Sequence, residues 1–111
     1  MRGLLIMKEK AKVITMCGSL RFMKEFMFHA ERLELEGNCV LSVIYPTKED
    51  KDAYAPNEHE LLDILHKQKI DMSDAIFIVN INGYIGSSTK SEIEYAKNLN
   101  KEIIYLEPID S

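Results

Sequence analysis

"KVITMCGSLRF", residues 12–22, decides how the rest of the chain is read. A nearly continuous apolar, β-branched run stops at Gly18-Ser19, and Arg21 follows two positions later. Apolar residues without polar alternation predict a strand covered on both faces, and the Gly-Ser pair predicts a turn into a helix. Three more runs have the same character: "CVLSVI" (39–44), "AIFIVNI" (75–81) and "EIIYLE" (102–107).

Helical spacing fills the gaps between these runs. From Ser19 to Glu36, Phe22, Met23, Phe26, Met27, Ala30 and Leu33 recur at three and four residues, which aligns one apolar stripe. A second helix is expected at "PNEHELL", with Asn57 as cap, Glu60 reaching back to it, and Leu61, Leu62, Leu65 and Met72 on the buried side. A third is expected from Thr89 to Leu99 with Ile93, Ala96 and Leu99 inward. Strands alternating with helices predict an α/β domain of Rossmann-like or flavodoxin-like type: three layers, a small parallel sheet of four to five strands, and helices on both faces.

In such a sheet ligands bind beyond the carboxyl ends of the strands, where the strand order reverses. The segments at that end are "CGSLRF", "YPTKEDKDAYAPNEHE" and "NINGYIGSSTKSE". In the first, Gly18 permits a close backbone approach, Ser19 adds a hydroxyl and Arg21 a planar fork of donors suited to phosphate. Spacing alone equally allows Ser19 to be a helix cap and Arg21 a solvated side chain. In the third, Gly83 and Gly86 flank Tyr84, and Ser87, Ser88 and Thr89 lead to Glu92. Thr89 and Glu92 also fit a capping box, so a purely structural role stays open. Tyr45 or Tyr54, in the loop from Tyr45 to Pro56, could stack on a base or belong to a solvated loop.

Composition narrows the partners. The chain has 111 residues, 46% of them apolar, which suits one domain over 1–111. Fourteen basic and eighteen acidic residues give a net charge of −4, which argues against a broad grip on nucleic acid but allows a small basic pocket. The opening "MRGLLIMKEKAK" has an apolar run of only about five residues and no small-residue cleavage site, so no signal peptide is expected. Residues 1–11 are expected to form an N-terminal extension, with Met1 to Ile6 disordered. No run is long enough to span a membrane. Cys17 and Cys39 make no CxxC pair and read as small buried residues in a reducing, cytoplasmic setting. His29, His59 and His66 have no short-spaced partners, so neither a metal nor a cofactor is expected.

"MCGSLRF" (16–22), the following A-E-x-L…G helix, and "SDAIFIVN" (73–80) leading to "GYIGSSTKSEIEYA" (83–96) together resemble the nucleoside 2-deoxyribosyltransferase-like superfamily. That superfamily includes the 2′-deoxynucleoside 5′-monophosphate N-glycosidases, and the likeness extends over roughly residues 12–107. The resemblance implies cleavage or transfer at the N-glycosidic bond of a (deoxy)nucleoside or its 5′-monophosphate, through a covalent glycosyl-glutamate. It implies Glu92 as nucleophile, with Glu94 facing away, places the phosphate or sugar end on Gly18, Ser19 and Arg21, and adds Cys17 to the substrate-binding residues. Tyr45, Gly83, Tyr84, Gly86, Ser87 and Ser88 complete the expected substrate site.

The family aspartate of the preceding helix falls on His66 here, with Asp63 one turn earlier and Asp71 just over a turn later. With an unperturbed pKa near 6.5, His66 would suit proton donation to the leaving base, or it could be structural. That departure sustains a second expectation, a binding module of the same fold without turnover. A third is a structural domain in which Thr89 and Glu92 only cap a helix. Family members are usually homo-oligomers with pockets completed by a neighbour, so a homodimer or larger homo-oligomer is expected.

Overall fold

The computed structural model describes residues 10–48 and 53–109. The expectation for Met1 to Ile6, and part of the Tyr45–Pro56 loop, lie outside the described residues. The elements run β1 (Val13–Gly18), a 3-10 turn (Leu20–Phe22), α1 (Met23–Leu35), β2 (Cys39–Leu41), α2 (Pro56–Asp71), β3 (Ala75–Val79), a second 3-10 turn (Ile81–Gly83), α3 (Ser87–Asn98) and β4 (Glu102–Tyr105). Four parallel strands lie in the order β2-β1-β3-β4, as the sequence predicts for an α/β fold of Rossmann-like type.

Side chains of a strand alternate between faces, and this sorts the core into two clusters. Ile14 and Met16 of β1 join Ala75, Phe77 and Val79 of β3 against Phe26 and Leu33 of α1. On the other face Cys17, Ile76 and Ile78 meet Ile70 of α2 and Ile93 and Ala96 of α3. All five residues of β3 are buried, which is why its sequence shows no polar alternation. Each large apolar side chain fully buried here contributes about 1.5–3 kcal/mol.

Several expected boundaries move, each for a local reason. β2 ends at Leu41 instead of running to Ile44, after pairing three residues with β1. Lys69 Nζ then donates to the Ser42 carbonyl at 2.8 Å and takes over one of the backbone acceptors beyond the strand. β3 ends at Val79 because Asn80 exchanges two hydrogen bonds with the Glu107 backbone, both 2.9 Å. The stretch after Ser19 starts as a 3-10 turn, and the α-helix proper begins at Met23. Met27 is exposed there, outside the buried stripe.

α2 is capped two residues earlier than expected. Pro56 occupies the first turn, where no N–H is needed, and the Glu58 carboxylate accepts from the Ala55 N–H at 2.8 Å, so Asn57 and Glu60 do not cap. Leu61, Leu65 and Met72 are exposed, and Ile70 carries the contact with the core. α3 is capped at Gly86 and starts at Ser87, two residues before the expected range, which puts Thr89 inside the first turn; Leu99 falls beyond the helix and is exposed.

Among the described residues, no helix is long and apolar enough to cross a membrane.

Candidate functional site

The order β2-β1-β3-β4 makes the chain leave β1 toward one edge and reach β3 on the other side, so the reversal lies between the carboxyl ends of β1 and β3. A cleft of about 990 Å³ opens there. Its walls are the Gly18–Arg21 turn, the segment after β2, one side of α2, and the Tyr84–Glu92 segment. The apolar stripe of α2 that sequence reading assigned to the core partly faces this space, since Leu62 and Leu65 line it.

Gly18 closes β1 with φ +146°, a conformation that other residues rarely adopt. An added Cβ would lie 2.8 Å from the Val79 carbonyl oxygen, so the two central strands approach closely only because this residue is glycine. Ser19 follows in extended conformation and its Oγ accepts from the Arg21 N–H at 3.3 Å. The capping role is thus realised, while Ser19 still lines the cleft.

Arg21 lies over the Tyr84 ring, 4.2 Å from its centroid, with Nη2 donating to Tyr84 Oη at 3.5 Å. The stack fixes an exposed guanidinium on a cleft wall that Ser87 and Ser88 also line. Lys48 and Lys69 also line the cleft, so cations outnumber the acidic pair Asp63 and Glu92 in a chain that is acidic overall. This is the local basic pocket that composition allowed.

At the inner end, three side chains from three elements converge. Cys17 Sγ of β1 lies 3.5 Å from His66 Nε2 of α2, and the same nitrogen lies 3.8 Å from Glu92 Oε1 of α3. Cys17 is fully buried, and the His66 and Glu92 side chains are about a tenth exposed. Burial pushes the Glu92 carboxyl up to about 7 and, with the Lys69 charge, pushes His66 down to about 4. Burial, then the nearby Glu92 charge, raises the Cys17 thiol well above its ordinary value. Close to neutral pH the His66–Glu92 approach therefore joins a neutral imidazole to a half-protonated carboxyl, and it is not an ion pair.

Two expectations change here. Glu92 is not half of a capping box, because Gly86 caps α3 without a side-chain bond, Thr89 is buried, and Glu92 points toward Cys17 and His66. His66, held neutral, is unsuited to deliver a proton as an imidazolium near pH 7.

Other expected residues sort by position. Gly18, Ser19, Arg21, Tyr84, Gly86, Ser87 and Ser88 line the cleft together with His66 and Glu92. Tyr45 does not, because its side chain packs against the α1-side core; Val43, Ile44 and Pro46 line the wall instead. Gly83 sits in the second 3-10 turn with φ +78°, off the cleft.

Asp63 and Lys69 line the cleft although sequence reading gave neither a site role. The available signal was helical spacing, since both stand three residues from His66 on one face of α2. Asp63 pairs with Lys67 at 3.2 Å. Asp71 is engaged elsewhere, accepting from Tyr95 Oη at 2.6 Å. Cys17, His66 and Glu92, far apart in sequence, form a cluster that close ligand spacing does not reveal, with their ligand atoms all within 4.8 Å of one another.

Comparison of the sequence with known proteins finds no matching protein-family model and no curated protein that matches significantly.

Proposed function

We propose that the protein cleaves or transfers the N-glycosidic bond of a (deoxy)nucleoside or nucleoside 5′-monophosphate, with Glu92 as nucleophile. The observation that carries this reading is a nearly buried carboxyl at the inner end of a cleft whose mouth holds an arginine, two serines and a glycine-closed strand end. An anionic group at the mouth and a reacting carbon near Glu92 fit that polarity. The likeness of "MCGSLRF" and "GYIGSSTKSEIEYA" to the deoxyribosyltransferase-like superfamily points the same way.

In the proposed reaction a Glu92 oxygen bonds to the anomeric carbon as the carbon–nitrogen bond breaks, and the electron pair leaves with the base, which takes a proton from solvent. Water, or a second base, then attacks the anomeric carbon and Glu92 departs as carboxylate. Asp63, paired with Lys67, lines the cleft one turn before His66 and supplies a second carboxylate to the substrate side of α2. His66 and Cys17 position the carboxyl. Exclusion of water around Glu92 strengthens its interaction with the positive charge that develops on the sugar.

The test is release of free base from a panel of nucleosides and 5′-monophosphates. As a nucleophile Glu92 acts ionised, so kcat/KM is expected to rise about tenfold per pH unit below its pKa of about 7 and level off above it. A fall above pH 7 would assign Glu92 to acid catalysis instead. Replacing Arg21 with Ala is expected to weaken use of a 5′-monophosphate by about 2 kcal/mol, roughly thirtyfold in kcat/KM, with nucleosides little affected. Equal losses for both substrates would remove the phosphate role from Arg21.

One observation favours a second reading, a nucleotide-binding module without turnover. A carboxyl with a pKa near 7 is only half ionised at neutral pH, so the site is less prepared for nucleophilic attack than for hydrogen bonding. Thermal stabilisation by nucleotides with no base released by the wild type would select it.

A further inference from the structure

Cys17, His66 and Glu92 bring one sulfur, one imidazole nitrogen and one carboxylate oxygen to a common point from β1, α2 and α3. A tetrahedral zinc ion with ordinary bond lengths spaces its S and N ligands by ~3.5 Å and its N and O ligands by ~3.4 Å. The corresponding separations here are 3.5 and 3.8 Å. Both approaches use His66 Nε2, the atom that would face the ion.

Charge and access fit as well. Thiolate, carboxylate and neutral imidazole sum to two negative charges, which balance a divalent cation in a place where net charge is costly to bury. Glu92 and His66 line the cleft while Cys17 lies behind them, so a fourth coordination position is open toward the cleft. Three protein ligands with one open position is the pattern of zinc sites that bind a further ligand.

We propose that Cys17, His66 and Glu92 form a binding site for a thiophilic divalent cation, Zn²⁺, and that the bound ion switches the site off by turning Glu92 from nucleophile into ligand. The switching part rests on the glycosidic reading above; the binding part stands without it.

The full chain, freed of metal and kept reduced, is titrated with Co²⁺ as a spectroscopic substitute. A thiolate-to-cobalt charge-transfer band is expected in the near ultraviolet, saturating at one equivalent and abolished by Zn²⁺. It should vanish in Cys17→Ser and persist in Cys39→Ser. His66→Gln and Glu92→Gln, each checked for an unchanged circular dichroism spectrum, should weaken Co²⁺ by about tenfold or more.

The binding proposal is overturned by absence of the band in the wild type, by its persistence in Cys17→Ser, or by unchanged affinity in both the His66 and Glu92 variants. In parallel, Zn²⁺ should suppress base release over the concentration range in which it displaces Co²⁺. Full activity with Zn²⁺ bound overturns the switch. Zn²⁺ binding by a protein that releases no base in chelator overturns the glycosidic reading and the switch but leaves the binding site standing.

Discussion

Glu92→Gln is expected to lose base release by at least ~10³-fold while unfolding at a higher urea concentration than the wild type at pH 8. The two effects have one cause. A group forced into a nearly buried site keeps the reactivity that solvent would blunt, and the fold bears the cost of its charge. The carboxyl titrates near 4.5 when unfolded and at about 7 when folded. Between those values the native state holds the extra proton, so stability falls as pH rises from 4.5 to 7 and stays low above. Glutamine carries no such penalty, and the variant should be more stable by about 3 kcal/mol at pH 8, with the difference disappearing below pH 4.5.

His66 adds a slope of the opposite sign. Its folded pKa is depressed from 6.5 to about 4, so its contribution is lost as pH falls through that window. In the wild type the two slopes oppose each other between 4.5 and 6.5. In Glu92→Gln only the histidine slope remains, and stability should climb across that range. A variant no more stable than the wild type at pH 8 would show that Glu92 is solvated, contrary to the geometry. Base release at the wild-type rate would remove it as nucleophile.

Gly18→Ala is expected to cost about 3 kcal/mol or more, a large share of the stability of a domain this size. The left-handed φ disfavours any Cβ, and the atom it would meet first, the Val79 carbonyl oxygen at 2.8 Å, belongs to a strand fixed by pairing on both sides. The ring edge of Phe26 at 3.1 Å blocks a compensating shift. Urea unfolding should show a lower midpoint with an unchanged slope. A loss under 1 kcal/mol would mean that the strand ends can separate, and that the turn carrying Ser19 and Arg21 is not anchored by the sheet.

The fold was legible because β3 and β1 are covered on both faces, and that burial writes continuous apolar runs into the sequence. The site was legible in part. The Gly18–Arg21 turn and the Ser87–Glu92 segment stand out by composition, but a capping box and a buried site glutamate share one spacing. The position of Gly86, not the pattern, separates them. Leu62 and Leu65 mislead for a related reason, because a helix stripe facing a cleft is as apolar as one facing a core. The meeting of Cys17 with His66 depends on the face to which the β1 pleat turns its odd residues and on where α2 crosses that face. Neither is encoded within a short window.

The pairing of β1 with β3 also governs when the site can exist. Every β1 residue from Ile14 to Gly18 waits for a partner 61 positions further along the chain. Closing so long a loop costs entropy before any contact rewards it, which slows folding relative to helical domains of equal size. During synthesis the N-terminal strand emerges without its central neighbour, leaving an unpaired apolar edge until β3 has been made. Glu92 comes later still. A growing or truncated chain that stops before α3 therefore contains the Gly18–Arg21 turn but not Glu92, so on the proposed reading the turn is made long before the carboxyl it would work with.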